Sequence, residues 1–300
     1  MMKQDVIGFA AESNLLPWSL RRVAVAKRMA NASVEDLQSR VKVIDYAHIR
    51  VRHRRGRAGD LGPIWQFWAQ GETAAPPIVR GCLESVYGHA GRRERILLDA
   101  RSIHDVLALP TSLTVRIEHL GWTFFSDLLR LMLLERYGGT WIDATVMLTS
   151  PLPDWLEPLD FFTFKHDHNP KVVANWFIHA RTGNTLLRTM AAAYREFWLR
   201  RSDKEHYFAF HHIFEAILLS NAAAARAWAA MPSHPATGRD LFHRAYAEPF
   251  SLDRFDAIAA ASWIHKLSYK NIAPDVLAST DSFYAVLSRG LPPERRPGPP

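Results

Sequence analysis

The stretch "TFFSDLLRLMLLERYGGTWIDATVML" (123–148) limits the fold more than any other part of the chain. At about 100° per residue, a helix over Thr123–Tyr137 gathers Thr123, Ser126, Asp127 and Arg130 into one narrow sector of its N-terminal half. The rest of those turns is Phe, Leu and Met, and the sector itself continues as Leu134. A surface helix keeps its polar face to the end, so this one must be covered nearly all round, with its few polar groups aimed at something local.

Two glycines close that helix, and "TWIDATVML" follows as a strand. A period of two puts Thr140, Ile142, Ala144, Val146 and Leu148 on one face. Trp141, Asp143, Thr145 and Met147 take the other. A helix feeding straight into a strand fits an alternation of strands and helices, and that alternation points to an α/β unit with a largely parallel sheet. The flanking texture agrees. "IWQFWAQGE" reads as a strand, "PPIVRGCLESVYGHA" as a Pro-started helix, "RERILLDA" as a strand and "SIHDVLALP" as a short helix. "DFFTFKH" and "VANWFIHA" are two more strands. Helices follow in "NTLLRTMAAAYREFWLRRS", "HYFAFHHIFEAILLSNAAAARAWAAM" and "SLDRFDAIAAAS". The fold class expected is α/β, with a mostly parallel central sheet flanked by helices and a helical C-terminal third.

Three parts are expected. Residues 1–60 form a helical and basic extension, 61–275 the main domain, and 276–300 a C-terminal segment whose Pro-rich tail is disordered. An apolar share of 48% in 300 residues supports a large core. The single cysteine, Cys82, excludes a disulfide framework and reads as a buried, inert thiol. The opening residues have no long apolar core of a secretory signal, and no run suits a bilayer span, so a cytoplasmic protein is expected. The net charge of +7 is concentrated in "HIRVRHRRGRAGD" (48–60) and "ERRPGPP". Clustered arginines of that kind suit a solvated linker or peripheral contact with anionic lipid on the inner face of a membrane. Without a nucleic-acid-binding motif beside it, the charge gives no case for DNA or RNA.

The chemistry-bearing residues are few. A carboxylate that accepts and a guanidinium that donates, as in Asp127 and Arg130, suit the vicinal hydroxyls of a sugar; their alternative is a mutually neutralising buried pair. Asp143 in an apolar strand needs a partner or the strand's open carboxyl end, where ligands collect in open α/β sheets; its alternative is an Asp that caps a following turn. The Gly-Gly lead-in allows close backbone approach there. His211, His212 and Glu215 carry helical metal-ligand spacing, but nothing accompanies them, and they read as a helix face near an acceptor.

Asp127, Arg130, "YGG" and Asp143 together make "FSDLLRLMLLERYGGTWIDATV" resemble the capsular polysaccharide synthesis protein family. These are retaining sugar transferases of the GT-A fold, related to the Och1-like mannosyltransferases and the glycosyltransferase domains of the large clostridial toxins. The resemblance runs over about residues 62–270. It implies a hexosyltransferase that moves a sugar from a nucleotide-diphosphate donor to a growing capsular polysaccharide or a lipid-linked glycan. By the same resemblance, Asp127 and Arg130 hold the donor sugar, and Asn175 and Trp176 border the reacting carbon. Gln66 and Trp68 seat the nucleotide, and Lys266 meets the diphosphate. Asp143 matches the first acid of the GT-A Asp-x-Asp motif, which with Thr145 and His265 implies a bound Mn²⁺ or Mg²⁺.

Thr145 departs from that pattern, since a hydroxyl is a poor ligand for a hard cation. Either it ligates weakly beside His265, or Lys266 and Arg130 supply much of the positive charge. In retaining transferases of this fold the leaving phosphate can itself deprotonate the acceptor, so no catalytic triad is needed. The alternative is a catalytically silent relative that serves as a binding subunit of a polysaccharide assembly complex.

Overall fold

The computed structural model describes residues 61–109, 111–166, 169–200, 209–234 and 238–297. The expected extension, residues 1–60, and its basic run at 48–60 lie outside them.

Strand β1 (Ile64–Phe67) leads into α1 (Pro77–Gly88), whose Pro sits at the first helical position, where no backbone N–H is required. Strand β2 (Arg95–Leu98), the short helix α2 (Ile103–Val106) and α3 (Thr111–Leu120) follow. Next come α4 (Trp122–Tyr137) and β3 (Gly139–Ile142). Strands β4 (Val146–Leu148), β5 (Phe161–His166) and β6 (Asn169–Ala180) precede the helices α5 (Thr185–Arg200), α6 (Ala209–Ser220) and α7 (Ala222–Ala230). The chain continues through α8 (Leu241–Arg244), α9 (Leu252–Ala261), β7 (Ile264–Lys266), α10 (Pro274–Ala278) and α11 (Phe283–Leu287).

Five strands form the central sheet in the order β2-β1-β3-β6-β5. Strand β1 pairs in parallel with both β2 and β3, whereas β6 runs against both β3 and β5. Four of the five strands therefore point the same way, and β6 alone is reversed. Strands β4 and β7 make a separate antiparallel ribbon, Met147 opposite His265 and Val146 opposite Lys266. One apolar core joins the sheet to α4, α5 and α6; a second gathers α1, α8, α9 and α11 around Cys82 and Met147. This is the α/β architecture expected, a mostly parallel sheet between helices with a helical last third.

Four local expectations change. "TWIDATVML" is two strands, not one: a turn at Asp143–Thr145 ends β3 and redirects the chain into the ribbon with β7. Gly138 and Gly139 (φ 66° and 106°) stand at the start of β3, the end away from Asp143. A Cβ on Gly139 would lie 2.2 Å from the Pro63 carbonyl oxygen, so the close approach is to protein backbone, where Thr140 N–H bonds Pro63. The long C-terminal helix breaks at Asn221, whose side chain caps α7 by accepting from Ala224 N–H. Finally, the tail is folded as far as Pro297. Pro293–Arg295 form a 3₁₀ turn, Leu291 is buried, and Arg295 grips Asp256 through both nitrogens of its fork at 2.6 and 2.7 Å.

Candidate active site

Helix α4 is covered as its composition requires. Leu128, Leu129, Leu131, Met132, Leu133 and Leu134 are all fully buried, and so nearly are Asp127 and Arg130. The buried pair does form, Arg130 Nη1 lying 3.0 Å from Asp127 Oδ1. It does not stop there. Arg130 Nη1 also donates to the Asn175 carbonyl at 2.7 Å, and Nη2 lies 3.4 Å from Asp143 Oδ1. Its Nε and Nη2 donate back to the carbonyl and hydroxyl of Ser126, each at 3.1 Å, which fixes the fork on its own helix. The ring of Trp141 stands 5.1 Å from the guanidinium and that of Phe210 5.8 Å, an aromatic lining that suits a weakly hydrated cation.

Asp127 receives Asn175 Nδ2 at 3.0 Å and the Tyr194 hydroxyl at 3.4 Å. Burial pushes its carboxyl up to about 6, partly countered by Arg130 and helped by the neighbouring charge of Asp143. Asp143 moves the other way. Burial opposes its ionisation, yet Lys266, Arg130 and the hydrogen bonds from Lys266 and Trp141 outweigh it and hold the group below the usual range.

The turn after β3 explains the position of Asp143. Its backbone N–H bonds the Trp176 carbonyl at 2.9 Å, and Val146 N–H closes the turn on the Asp143 carbonyl. Trp141 Nε1 donates to Oδ1 at 2.8 Å, and Lys266 Nζ to Oδ2 at 2.8 Å. The same Nζ reaches Thr145 Oγ1 at 2.6 Å, while the Thr145 carbonyl accepts from Leu267 N–H. Asp127, Arg130, Asp143, Thr145, Asn175 and Lys266 thus form one connected cluster at the carboxyl end of β3.

Other expected residues sit differently. The indole of Trp176 stacks on Phe164 at 5.3 Å, so this residue reaches the cluster through its carbonyl oxygen. His265 alternates with Lys266 and faces away, fully buried, against Phe242 at 4.4 Å and within 3.4 Å of Thr149 Oγ1. Burial pulls its imidazole down to about 4, offset in part by backbone hydrogen bonds. Gln66 is fully buried on β1, its Oε1 accepting from Arg95 Nε at 2.9 Å, and its Nε2 has no partner among the described residues. Trp68 Nε1 is likewise buried without one, and its ring meets Tyr269 edge-on at 5.3 Å. Because Trp65 stands beside Trp141 in the sheet, the carboxyl end of β1 that carries Gln66 and Trp68 adjoins Asp143.

A divalent cation does not fit these residues. Both oxygens of Asp143 are taken by Trp141, Arg130 and Lys266, the Thr145 hydroxyl is taken by Lys266, and His265 is on the far face. Among the described residues no group of three or more His, Cys, Asp or Glu side chains could hold a metal.

The family model described as "Capsular polysaccharide synthesis protein" matches residues 24–287. The chain belongs to that family. The match reaches further at both ends than the 62–270 legible from motifs, taking in part of the N-terminal extension as well as α10 and α11. No curated protein matches this member of the capsular polysaccharide synthesis family. A solved structure titled "PaToxG Glycosyltransferase" aligns at 10% identity with a TM-score of 0.41, covering 82% of this chain and 100% of that one. That likeness is too low to carry fold or chemistry across.

Sequence reasoning missed three contributors in this family member. Trp141 was placed on the face of Asp143 without its donor role, which an indole two residues from a carboxylate on one strand face could have signalled. Tyr194 and Phe210 come from α5 and α6, and no local pattern links them to α4. His211 and Glu215 lie on α6 as expected, one and five residues after Phe210.

Proposed function

We propose that this protein transfers a sugar from a nucleotide-diphosphate sugar to a capsular polysaccharide or a lipid-linked precursor, with retention at the anomeric carbon. The observation that carries this reading is the joining of Asp127, Arg130, Asp143, Asn175 and Lys266 into one cluster at the carboxyl end of β3. A family that builds capsular polysaccharide supplies the context.

Breaking a sugar–phosphate bond puts negative charge on the departing diphosphate and positive charge on the anomeric carbon. Cations fixed beforehand lower that barrier because they need no reorganisation during reaction. Lys266 and Arg130 are fixed in that sense, the ammonium by the Asp143 carboxylate and the Thr145 hydroxyl, the guanidinium by two carboxylates and the Ser126 and Asn175 carbonyls. The Asp127 carboxylate and the Asn175 amide, already bonded to each other, present acceptor and donor for adjacent sugar hydroxyls. The side chains of Gln66 and Trp68, with buried N–H groups that have no partner among the described residues, suit the polar edge of a nucleotide.

The way the carboxylates are employed supports retention. An inverting enzyme needs a free carboxylate as general base on the acceptor. Within the cluster Asp127 and Asp143 are both held in ion pairs, which favours the departing phosphate as the group that takes the acceptor's proton.

The test is a panel of sugar nucleotides offered to the purified chain, read first by thermal shift and then by NMR of donor hydrolysis or transfer. One nucleotide class should raise the melting temperature by linkage and be turned over with the α or β configuration of the donor preserved. Asp143→Ala should abolish turnover. Binding without any turnover would select the silent binding subunit instead, and no shift with any nucleotide would remove the reading.

A further inference from the structure

We propose that the ammonium of Lys266 occupies the seat a divalent cation would need, and that this chain engages the diphosphate of its donor without metal. The inference rests on the sugar-nucleotide reading of the site and adds how its charge is supplied.

Three observations carry it. First, Lys266 Nζ bridges the two side chains of the Asp-x-Thr turn, 2.8 Å from Asp143 Oδ2 and 2.6 Å from Thr145 Oγ1. A cation bound there would have to displace or crowd a like charge. Second, the lysine is built into its place. Its own N–H bonds the Arg239 carbonyl at 2.7 Å, the next N–H bonds the Thr145 carbonyl at 2.8 Å, and its Cα stands opposite Val146 in the β4–β7 ribbon. The same turn that presents the acceptors therefore anchors the donor. Third, the charges balance: the carboxylates of Asp127 and Asp143 are met by Arg130 and Lys266.

This balance explains Thr145. A second acid at that position would leave the cluster one negative charge in excess and call for a metal. A hydroxyl accepts from the ammonium without adding charge. Two of the three ammonium hydrogens point at Asp143 and Thr145, and the side chain keeps 30% of its surface exposed, which leaves the third for a phosphate oxygen. The burial of His265 against Phe242, on the opposite face of the ribbon, fits the same arrangement.

The experiment is calorimetric titration of the full chain with UDP, GDP and ADP, once in EDTA and once in MnCl₂. The nucleotide that binds should do so with affinities agreeing within about twofold in the two buffers. Lys266→Gln should weaken binding in EDTA by about tenfold or more, the order expected for one charge-assisted contact, and Mn²⁺ should restore part of it by pairing with the freed Asp143. Lys266→Arg should keep metal-free binding. Melting curves of both variants near the wild-type value separate these effects from misfolding, and the Mn²⁺ rescue is a response no purely structural role would give. Wild-type binding that weakens about tenfold in EDTA, or Lys266→Gln binding as well as wild type there, overturns the inference while leaving the donor reading intact. Failure of every nucleotide in both buffers overturns the donor reading and the inference with it.

Discussion

Arg130 Nη2 lies 3.4 Å from Asp143 Oδ1, and this contact ties the N-terminal half of α4 to the turn that ends β3. The two residues are thirteen positions apart, separated by the rest of a buried helix and a strand. Removing the guanidinium leaves Asp127 and Asp143 in the same cluster without their shared counter-charge. Arg130→Ala should therefore cost about 3–5 kcal/mol, the range for breaking a buried ion pair. Arg130→Lys keeps the charge but cannot span Asp127, the Asn175 carbonyl and Asp143 together, so it should recover only part of that loss and little donor binding. Urea denaturation and nucleotide titration on the two variants check this; equal stability of Arg130→Ala and wild type would contradict it.

That contact also marks how far the sequence could be read. The polar sector of α4 was visible because Asp127 and Arg130 repeat at helical spacing against an unbroken apolar background. The shared side of Trp141, Asp143 and Thr145 was visible from strand alternation, and it holds even though the strand itself breaks. The turn was open only as an alternative, because Asp143 is the one turn-forming residue in an otherwise unbroken alternation; it is imposed by the pairing of β4 with β7, more than a hundred residues later. The same long-range pairing decides that Lys266 faces Asp143 and His265 faces Phe242, a choice of register that no local pattern carries. Helix α3 was missed because "TSLTVRIEHL" is rich in β-branched residues, whose weak helical preference is overridden by packing on α4 and α5.

Gly139 separates two kinds of glycine in this chain. At Gly139 the backbone is left-handed (φ 106°) and an added Cβ would meet the Pro63 carbonyl oxygen at 2.2 Å. At Gly121 φ is 86°, but nothing lies within 4 Å. Gly121→Ala should cost about 1–2 kcal/mol, backbone strain alone. Gly139→Ala should cost clearly more, because β1 and β3 must separate where their pairing begins. Thermal or chemical denaturation of the pair checks the order, and a reversed order would mean that the start of β1 yields easily.

Cys82 is fully buried in the second core, and burial pushes its thiol up to about 12, against a smaller pull from Lys266. Thiolate is the reactive form, so the folded chain should not react with a thiol reagent at neutral pH. Labelling should proceed at the rate of unfolding and speed up in urea. A fast phase in native buffer, on the time scale of a free thiol, would show that α1 opens locally.

Asp127 gives a stability signature with a definite sign. Burial pushes its carboxyl up to about 6 in the folded chain, against the ordinary 3.8 of an unfolded aspartate. Between those values the folded chain binds the proton more tightly, so its stability falls as pH rises from about 4 to about 6 and stays lower above that. Asp127→Asn keeps the size and loses the titration. The variant's stability relative to wild type should therefore rise by about 2 kcal/mol between pH 4.5 and 7.5, since one pKa unit is worth about 1.4 kcal/mol. Donor binding should move oppositely. The ionised carboxylate is the form that accepts from sugar hydroxyls, so affinity in the wild type should drop below about pH 6, whereas that of Asp127→Asn should be weak and flat. Denaturation curves at the two pH values, with titrations of the donor across the same range, read both effects. A stability difference that stays constant or shrinks with rising pH would mean that Arg130 and Asn175 outweigh burial and that Asp127 is ionised throughout.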